Sequence, residues 1–214
     1  MPTVYRSIED RLNRYRTGLV NARDVDELQN RVALYGYTKK KINELLSLHQ
    51  EAFDLHLARK KEYGEQLAAT NAFEQAWKSA HDAYMVLIRL GRILFRDDYG
   101  VFVKLTLNEE RKKSFSGWLT QARTFFGSLL ADSSVLEKYA KYNTPLTAIK
   151  AARDQVDIAE ETNTIQAKET GEARQATLDR DAKLDALDSA MSEFHALAKL
   201  ACQDAPELLD MLDH

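Results

Sequence analysis

The sequence holds few residues that interrupt helices. Its 214 residues include only 8 glycines and 3 prolines, and the glycines are dispersed along the chain. Glycine and proline are the residues least compatible with a helix interior, whereas the alanine, leucine, glutamate, lysine and arginine that fill this chain are good helix formers. The composition therefore predicts an all-α protein.

No stretch of the sequence is apolar and long enough to span a bilayer. The most apolar run, AYMVLIRLGRILF at 83–95, is interrupted by Arg89 and Arg92 and is shorter than the roughly 20 residues of a transmembrane helix. The start, MPTVYRSIED, has no apolar segment behind basic residues, so no secretory signal is visible. A single cysteine, Cys202, excludes an internal disulfide. These absences favour a cytoplasmic protein without an integral membrane segment.

The charge balance gives no general attraction to nucleic acid, because the formal net charge is −3. The charges are unevenly distributed. Residues 1–113 hold 20 Lys and Arg against 16 Asp and Glu, and residues 114–214 hold 10 against 17. We expect these two parts to attract each other, within one chain or between two chains. The alternative is that both are solvated helix faces whose asymmetry arises by chance.

The second half of the sequence repeats the pattern of the first. When the chain is shifted by half its length, KEYGEQLAAT at 61–70 falls on KETGEARQAT at 168–177, and six of the ten positions are identical. This similarity predicts a tandem duplication, with 1–107 as the first helical repeat and 108–214 as the second. The two repeats are expected to form one folded unit with an internal pseudo-two-fold axis.

Each repeat is predicted to begin with two short helices. They are expected at about 5–17 and 24–35 in the first repeat and at about 109–130 and 133–142 in the second. The predicted N-caps are Asp24, Asn108 and Ser133. The segment DDYGVFVKLTLN at 97–108 is predicted to be a loop packed on the core, because a single short strand would have no partner.

One long helix is predicted to follow in each repeat, over about 38–96 and about 145–203. Thr144 and Pro145 give the second of these a strong start signal. Neither segment contains the cluster of turn residues that a break would need, so we expect two uninterrupted helices of roughly 90 Å in an elongated antiparallel helical bundle. The alternative is a compact bundle of two αα-hairpins, in which the chain turns near Thr70 and Thr177.

Gly64 and Gly171 lie near the midpoints of the two predicted long helices, in segments that are polar all round. A glycine inside a helix costs about 1 kcal/mol relative to alanine. Because both repeats keep this glycine, we expect the backbones of the two helices to approach closely at these positions.

The residue types that carry chemistry do not form a recognisable pattern. His49 and His56 share one helix face, but seven residues separate them by roughly 10.5 Å, too far to ligate one zinc ion directly. Cys202 lies on an apolar helix face and is expected to be a buried thiol. The sequence has no glycine-rich phosphate loop and no nucleophile motif. We therefore predict no catalytic, cofactor-binding or metal-binding residue.

Three basic clusters raise the possibility of binding at a membrane surface. They are Lys39-Lys40-Lys41, Arg59-Lys60-Lys61 and Arg111-Lys112-Lys113. Aromatic residues follow the third cluster, at Phe115 and Trp118. These aromatics are better explained as core residues at helical spacing, and solvated helix faces are favoured for the lysines.

The segments RKKSFSGWLTQARTFF at 111–126 and ATLDRDAKLDALDSAMSEFHALAKLACQDAPELLDML at 176–212 resemble segments of uncharacterised bacterial proteins of about this length. The resemblance covers most of the second half and, more weakly, the first half. It implies a helical fold and a bacterial source, and it brings no activity, cofactor or site.

These observations lead to one principal functional hypothesis and two alternatives. The principal one is a non-enzymatic helical interaction or scaffold protein that associates with itself or with helices of a partner protein. The first alternative is a membrane-surface-binding or toxin-like helical protein. The second is an enzyme with an unrecognised site around Asp97–Tyr99 and Arg111.

Overall fold

The computed structural model describes residues 7–212, which form eight α-helices and no β-strand. In chain order these are α1 Ile8–Asp24, α2 Asp26–Ala33, α3 Lys39–Leu94, α4 Tyr99–Lys104, α5 Phe115–Leu130, α6 Ser133–Lys141, α7 Leu146–Ala201 and α8 Glu207–Asp210. The prediction of an all-α bundle with two long helices is confirmed.

The two long helices, α3 and α7, contain 56 residues each and are not interrupted. Their ends lie within two residues of the predicted bounds. Thr70 and Thr177, where the alternative fold would turn, both lie inside these helices. Each of the two hydroxyls donates a 2.9 Å hydrogen bond to the carbonyl one turn earlier, of Gln66 and Ala173 respectively. The fold with two αα-hairpins is therefore wrong for this chain.

The chain divides into two compact units that do not follow the boundary between the sequence repeats. Unit 1 combines Met1–Tyr63 with Glu172–His214, and unit 2 is Gly64–Gly171. Each unit therefore takes about half of a long helix from each repeat. Unit 1 contains α1, α2, the first part of α3, the last part of α7 and α8, whereas unit 2 contains the remaining parts of α3 and α7 with α4, α5 and α6.

The core of unit 1 is largely aliphatic. Helix α1 buries Leu12, Leu19 and Ala22, and the first part of α3 and the last part of α7 add further apolar side chains to the same cluster. Cys202 is completely buried here. Burial of this kind is the main stabilising contribution to a bundle, at about 1.5–3 kcal/mol for each large apolar side chain.

The core of unit 2 is built around aromatic rings. Trp118, Phe125 and Tyr139 are completely buried, and the Trp118 ring lies 6.3 Å from the ring of Tyr84 between centroids. Trp118 follows the third basic cluster in the sequence, and the structure confirms that it is a core residue. Phe115, the first residue of α5, also packs against this core.

The two halves of the chain have the same order of helices. Helices α1 and α5, α2 and α6, and α3 and α7 each begin 107 residues apart. Two of the three described residues with positive φ, Gly36 at +90° and Asn143 at +57°, are also related by this shift, and each follows a short helix. Burial repeats as well, for Leu19 and Phe126, Val32 and Tyr139, Ile42 and Ile149, Ala52 and Ala159, Tyr84 and Met191, and Leu105 and Leu212. A tandem duplication predicts this correspondence.

Part of the segment at 97–108, where a loop was predicted, forms the short helix α4 at Tyr99–Lys104. The Asp98 carboxylate accepts a hydrogen bond from the Val101 N–H and caps the short helix α4. Leu105 and Leu107 are buried in the core of unit 2, as expected for this segment. The cap and this apolar packing outweigh the low helix propensity of the valines.

Three predicted N-caps are wrong. Helix α5 begins after Ser114, whose hydroxyl accepts from the Gly117 N–H, and not after Asn108. Helix α6 is capped by Asp132, one residue before the predicted Ser133. Helix α2 follows Val25, which makes no side-chain cap, so Asp24 is not the N-cap of this helix.

Gly64 and Gly171 do not mark a close approach of two backbones. Both are exposed and helical, and a Cβ atom added to either would meet no other atom within 4 Å. The expectation that these glycines are kept for close contact is therefore wrong, because both face open space.

Candidate functional site

The buried polar residues of the chain are concentrated in unit 1. Among residues 7–212 the buried polar side chains are Gln29, His49, His56 and Gln121, and only Gln121 belongs to unit 2. The corresponding positions of the other repeat, 107 residues further on, hold Leu136, Val156 and Asn163 for the first three. The fold itself therefore does not require histidine at position 49 or 56.

His49 joins α3 to α1 through the backbone. Its Nε2 donates a 2.8 Å hydrogen bond to the carbonyl oxygen of Leu12, so the ring carries its proton on this nitrogen. Burial lowers the pKa of His49 below its usual value, and the charge of the nearby Arg16 lowers it further. The neutral ring is thus the form that this packing favours.

His56 lies beside an ion pair between the same two helices. Its Nε2 is 2.9 Å from the Oε1 atom of Glu9, which also accepts a hydrogen bond from the Lys60 ammonium. These hydrogen bonds, that of Lys60 first, lower the pKa of Glu9 to about 2. The two histidines thus contact different partners, the Leu12 carbonyl and the Glu9 carboxylate.

A second polar contact fixes α1 against the last part of α7. Asp188 accepts hydrogen bonds from the Arg11 guanidinium at 2.6 Å and from the Tyr15 hydroxyl at 3.0 Å. Burial first, and then the charge of Asp188, raise the pKa of Tyr15. Trp118 and His81 stand at the positions that correspond to Arg11 and Asp188 in the other repeat, so this polar contact is also particular to unit 1.

A groove between α1 and α3 brings several of these groups to the surface. This unit 1 groove has a volume of about 100 Å³. Its lining residues are Glu9, Leu12, Asn13, Arg16, His49, Gln50 and Phe53. It contains one exposed guanidinium group, one carboxylate, one buried imidazole and two side-chain amides beside the apolar Leu12 and Phe53. Sequence reasoning identified His49 but missed Arg16, Asn13 and Gln50, because nothing in their spacing distinguishes them from ordinary surface residues.

Unit 2 has a groove that partly overlaps the corresponding position. This unit 2 groove has a volume of about 230 Å³ and lies between α5 and α7. Its lining residues are Arg123, Phe126, Gly127, Leu130, Arg153, Val156 and Asp157. Arg123, Val156 and Asp157 correspond by the 107-residue shift to Arg16, His49 and Gln50. The two grooves therefore share three positions, whereas the other four lining residues of the unit 2 groove correspond to residues outside the unit 1 groove.

No family model, curated protein or solved structure matches this chain. Within the described residues, no helix is long and apolar enough to cross a membrane. The candidate site is therefore argued from the contacts of the described residues alone.

Unit 2 also has exposed apolar side chains on α3 and α4. Val86 and Ile93 are seven residues apart on α3, so they share one helix face, with 61% and 71% of their surfaces exposed. Tyr84, Ile88 and Phe95 form the opposite face and are buried.

Helix α4 follows with Tyr99, which is 78% exposed, and Val103, which is 41% exposed. These two residues are four apart and share one face of α4. We name Val86, Ile93, Tyr99 and Val103 the unit 2 apolar surface. Val86 and Val103 correspond to the charged Glu193 and Asp210 of the other repeat, so the fold does not require an apolar residue at these two positions. Ile93 and Tyr99 correspond to Leu200 and Pro206.

The region named as a possible enzyme site contains residues with structural contacts. Asp97 pairs with Arg96 at 3.1 Å, Asp98 caps α4, and Tyr99 belongs to the unit 2 apolar surface. Arg111 lies near His81 and contributes, after burial, to lowering the pKa of that ring. Cys202 is buried, and burial raises the pKa of its thiol, which disfavours the reactive thiolate.

The complementary charges of the two parts of the sequence meet inside unit 1. Arg11 and Arg31 of the first part pair with Asp188 at 2.6 Å and Asp204 at 2.5 Å of the second part. The pair of Glu51 with Lys183 at 2.8 Å has the opposite sense. Two contacts therefore show this attraction within one chain, although exposed pairs of this kind contribute little stability each.

Proposed function

We propose that this chain is a cytoplasmic, non-enzymatic helical interaction protein that self-associates through the unit 2 apolar surface. The observation that carries the proposal is the contrast between the repeats. Val86 corresponds to the charged Glu193, and Val103 corresponds to the charged Asp210. We infer that the four side chains form one patch, because a contiguous exposed apolar patch marks a surface that another protein covers.

The buried histidines support a role without chemistry. His49 is engaged with the Leu12 carbonyl, and His56 with the ion-paired carboxylate of Glu9. Both contacts join α1 to α3, so these rings stabilise the bundle. A catalytic base needs an imidazole nitrogen that reaches a substrate, and the bonded nitrogens of both rings are occupied by the protein.

A second copy of the chain is the partner that we favour, because the same surface is then covered on both molecules. Two-fold association of identical patches is the commonest arrangement of homo-oligomers. Tyrosine is also enriched in protein interfaces, where its ring is covered and its hydroxyl stays hydrated.

Light scattering coupled to size-exclusion chromatography tests the proposal directly. We expect the mass of the wild-type protein to rise with concentration, and Val86→Glu to shift it toward the monomer. Glutamate already occupies the corresponding position 193 of the other repeat, so the variant is expected to fold. Leu34→Glu is the matched control, since Leu34 is 84% exposed in unit 1, outside the apolar surface. A wild-type protein that stays monomeric at the highest concentration refutes self-association.

Binding at a membrane surface is less well supported by the contacts of the basic clusters. Lys60 is engaged with Glu9, and the Arg59 guanidinium lies 4.9 Å from the centre of the Tyr63 ring. Trp118, next to the third cluster, is buried. Co-sedimentation with anionic vesicles at low salt distinguishes the two hypotheses. Binding that Val86→Glu does not change would favour the membrane instead.

A further inference from the structure

The unit 1 and unit 2 grooves share three positions, but their arginines have different partners. In unit 2, Arg123 forms an ion pair with Glu160, one turn further along α7 than Val156. Arg153 pairs with Asp154 at 2.6 Å and with Asp157 at 3.7 Å. Both guanidinium groups of the unit 2 groove are thus neutralised by carboxylates of the chain itself.

The unit 1 groove has an arginine at the position of Arg123 but no carboxylate at the positions of Glu160 and Asp157. Arg16 corresponds to Arg123, but Phe53 stands where Glu160 would be, and Gln50 stands where Asp157 would be. Among residues 7–212, Arg16 forms no ion pair. Phe53 thus replaces the acid that pairs with Arg123, and the Arg16 guanidinium is exposed.

The acidic residue that lines the unit 1 groove does not replace these carboxylates. Glu9 lies two helical turns before Arg16, about 10.5 Å along the axis of α1. Its carboxylate already accepts hydrogen bonds from Lys60 and His56. The Gln50 side-chain amide donates a 2.9 Å hydrogen bond to the exposed carboxylate of Asp54, so this carboxylate is engaged as well. Within the described part of the chain, the guanidinium of Arg16 therefore has no counter-ion in this groove.

We propose that the unit 1 groove binds the carboxylate group of a small ligand, with Arg16 as its anchor. A guanidinium presents two parallel N–H donors that match a carboxylate. The exposed amide of Asn13 supplies a further donor one turn before Arg16, and Leu12 and Phe53 provide apolar walls for the rest of the ligand.

The size of the groove limits what enters it. A volume of about 100 Å³ corresponds to roughly three water molecules in the liquid. The groove therefore accommodates a carboxylate with a few carbon atoms, either as a free small molecule or as the side chain of an acidic residue in a partner. This site does not depend on self-association, which uses a surface of unit 2.

Nuclear magnetic resonance titration of the nitrogen-15-labelled protein tests the site. Sodium propionate is added at constant ionic strength against sodium chloride, and a capped peptide with one aspartate is titrated in parallel. We expect saturable shifts confined to the lining residues of the unit 1 groove. Saturation by propionate assigns the site to free small carboxylates, and saturation by the peptide alone assigns it to acidic side chains. Absence of saturation with both ligands overturns the proposal.

Three variants make the test specific to Arg16. Arg16→Gln is expected to weaken binding at least about tenfold, because it removes a charge-assisted hydrogen bond. Arg123→Gln is the matched control at the corresponding position, and its affinity is expected to equal that of the wild type. Phe53→Glu restores the carboxylate of the other repeat beside Arg16 and is expected to abolish binding. Unchanged affinity in Arg16→Gln or Phe53→Glu, with the helical circular dichroism retained, also overturns the proposal.

Discussion

Replacing Gly64 with alanine is expected to stabilise the protein, although glycine occupies this position and the corresponding position 171 of both repeats. Gly64 lies inside α3, and its φ is not in the positive range that favours glycine. A Cβ added there meets no atom within 4 Å. The substitution therefore removes backbone freedom from the unfolded chain without introducing a clash in the folded one.

The magnitude follows from helix propensity alone. Alanine is more favourable than glycine in a helix interior by about 0.8–1.0 kcal/mol. For a chain of this size, a gain of 1 kcal/mol raises the melting temperature by about 2–4 °C. Gly171→Ala is expected to act in the same way, since its surroundings are equally open. Urea unfolding followed by circular dichroism measures both free energies of unfolding.

Gly91→Ala provides a control with the opposite expected sign. A Cβ at position 91 would overlap the Tyr139 hydroxyl and approach the Cδ2 atom of Leu107 to 3.1 Å, so overpacking is expected to destabilise unit 2 by about 1–3 kcal/mol. A loss of stability in Gly64→Ala would refute the reasoning. It would show that the helix at this position is held in a conformation, or against a neighbour, that tolerates only glycine.

Two further predictions concern buried hydrogen bonds. Since the pKa of His49 is lowered in the folded state, its contribution to stability is complete above the ordinary value of about 6.5 and is lost as the pH falls through the folded value. The variant His49→Val introduces the residue found at the corresponding position 156 and is expected to lose less stability than the wild type on acidification. Urea unfolding at neutral and at acidic pH measures the loss for each protein, and an equal loss in the two proteins would contradict this expectation. The Tyr139 hydroxyl donates a 2.9 Å hydrogen bond to the buried Leu87 carbonyl, so Tyr139→Phe is expected to cost about 1 kcal/mol; an unchanged free energy of unfolding would mean that this hydrogen bond contributes nothing.

Local signals explain which parts of the fold the sequence predicts well. The ends of α7 lie within two residues of prediction because Thr144 and Pro145 mark its start and because turn residues are scarce along its length. The predicted start of α5 is wrong because Asn108 is as good a cap by type as Ser114. Tertiary contacts decide between them, since the Gln121 amide donates hydrogen bonds to Glu109 and to the Glu110 carbonyl and holds this segment outside the helix.

The candidate site depends on information of a different kind. Arg16 lies on α1, whereas Gln50 and Phe53 lie on α3, and no spacing rule connects Arg16 with Phe53. The comparison of repeats does contain a signal, because Glu160 falls on Phe53 when the sequence is shifted by 107 residues. That signal has a meaning only once the structure places Glu160 in an ion pair with Arg123.

The amino-acid sequence alone determined the helical class of this protein and the extent of its two long helices. These properties depend on propensities, caps and periodicity, which act over a few residues. Only the tertiary structure decided that each compact unit combines segments of both repeats, that Gly64 and Gly171 face open space, and that Arg16 lacks the carboxylate that Arg123 possesses. Such features depend on which side chains of different helices are in contact. Local sequence patterns do not show contacts between residues that are far apart in the chain.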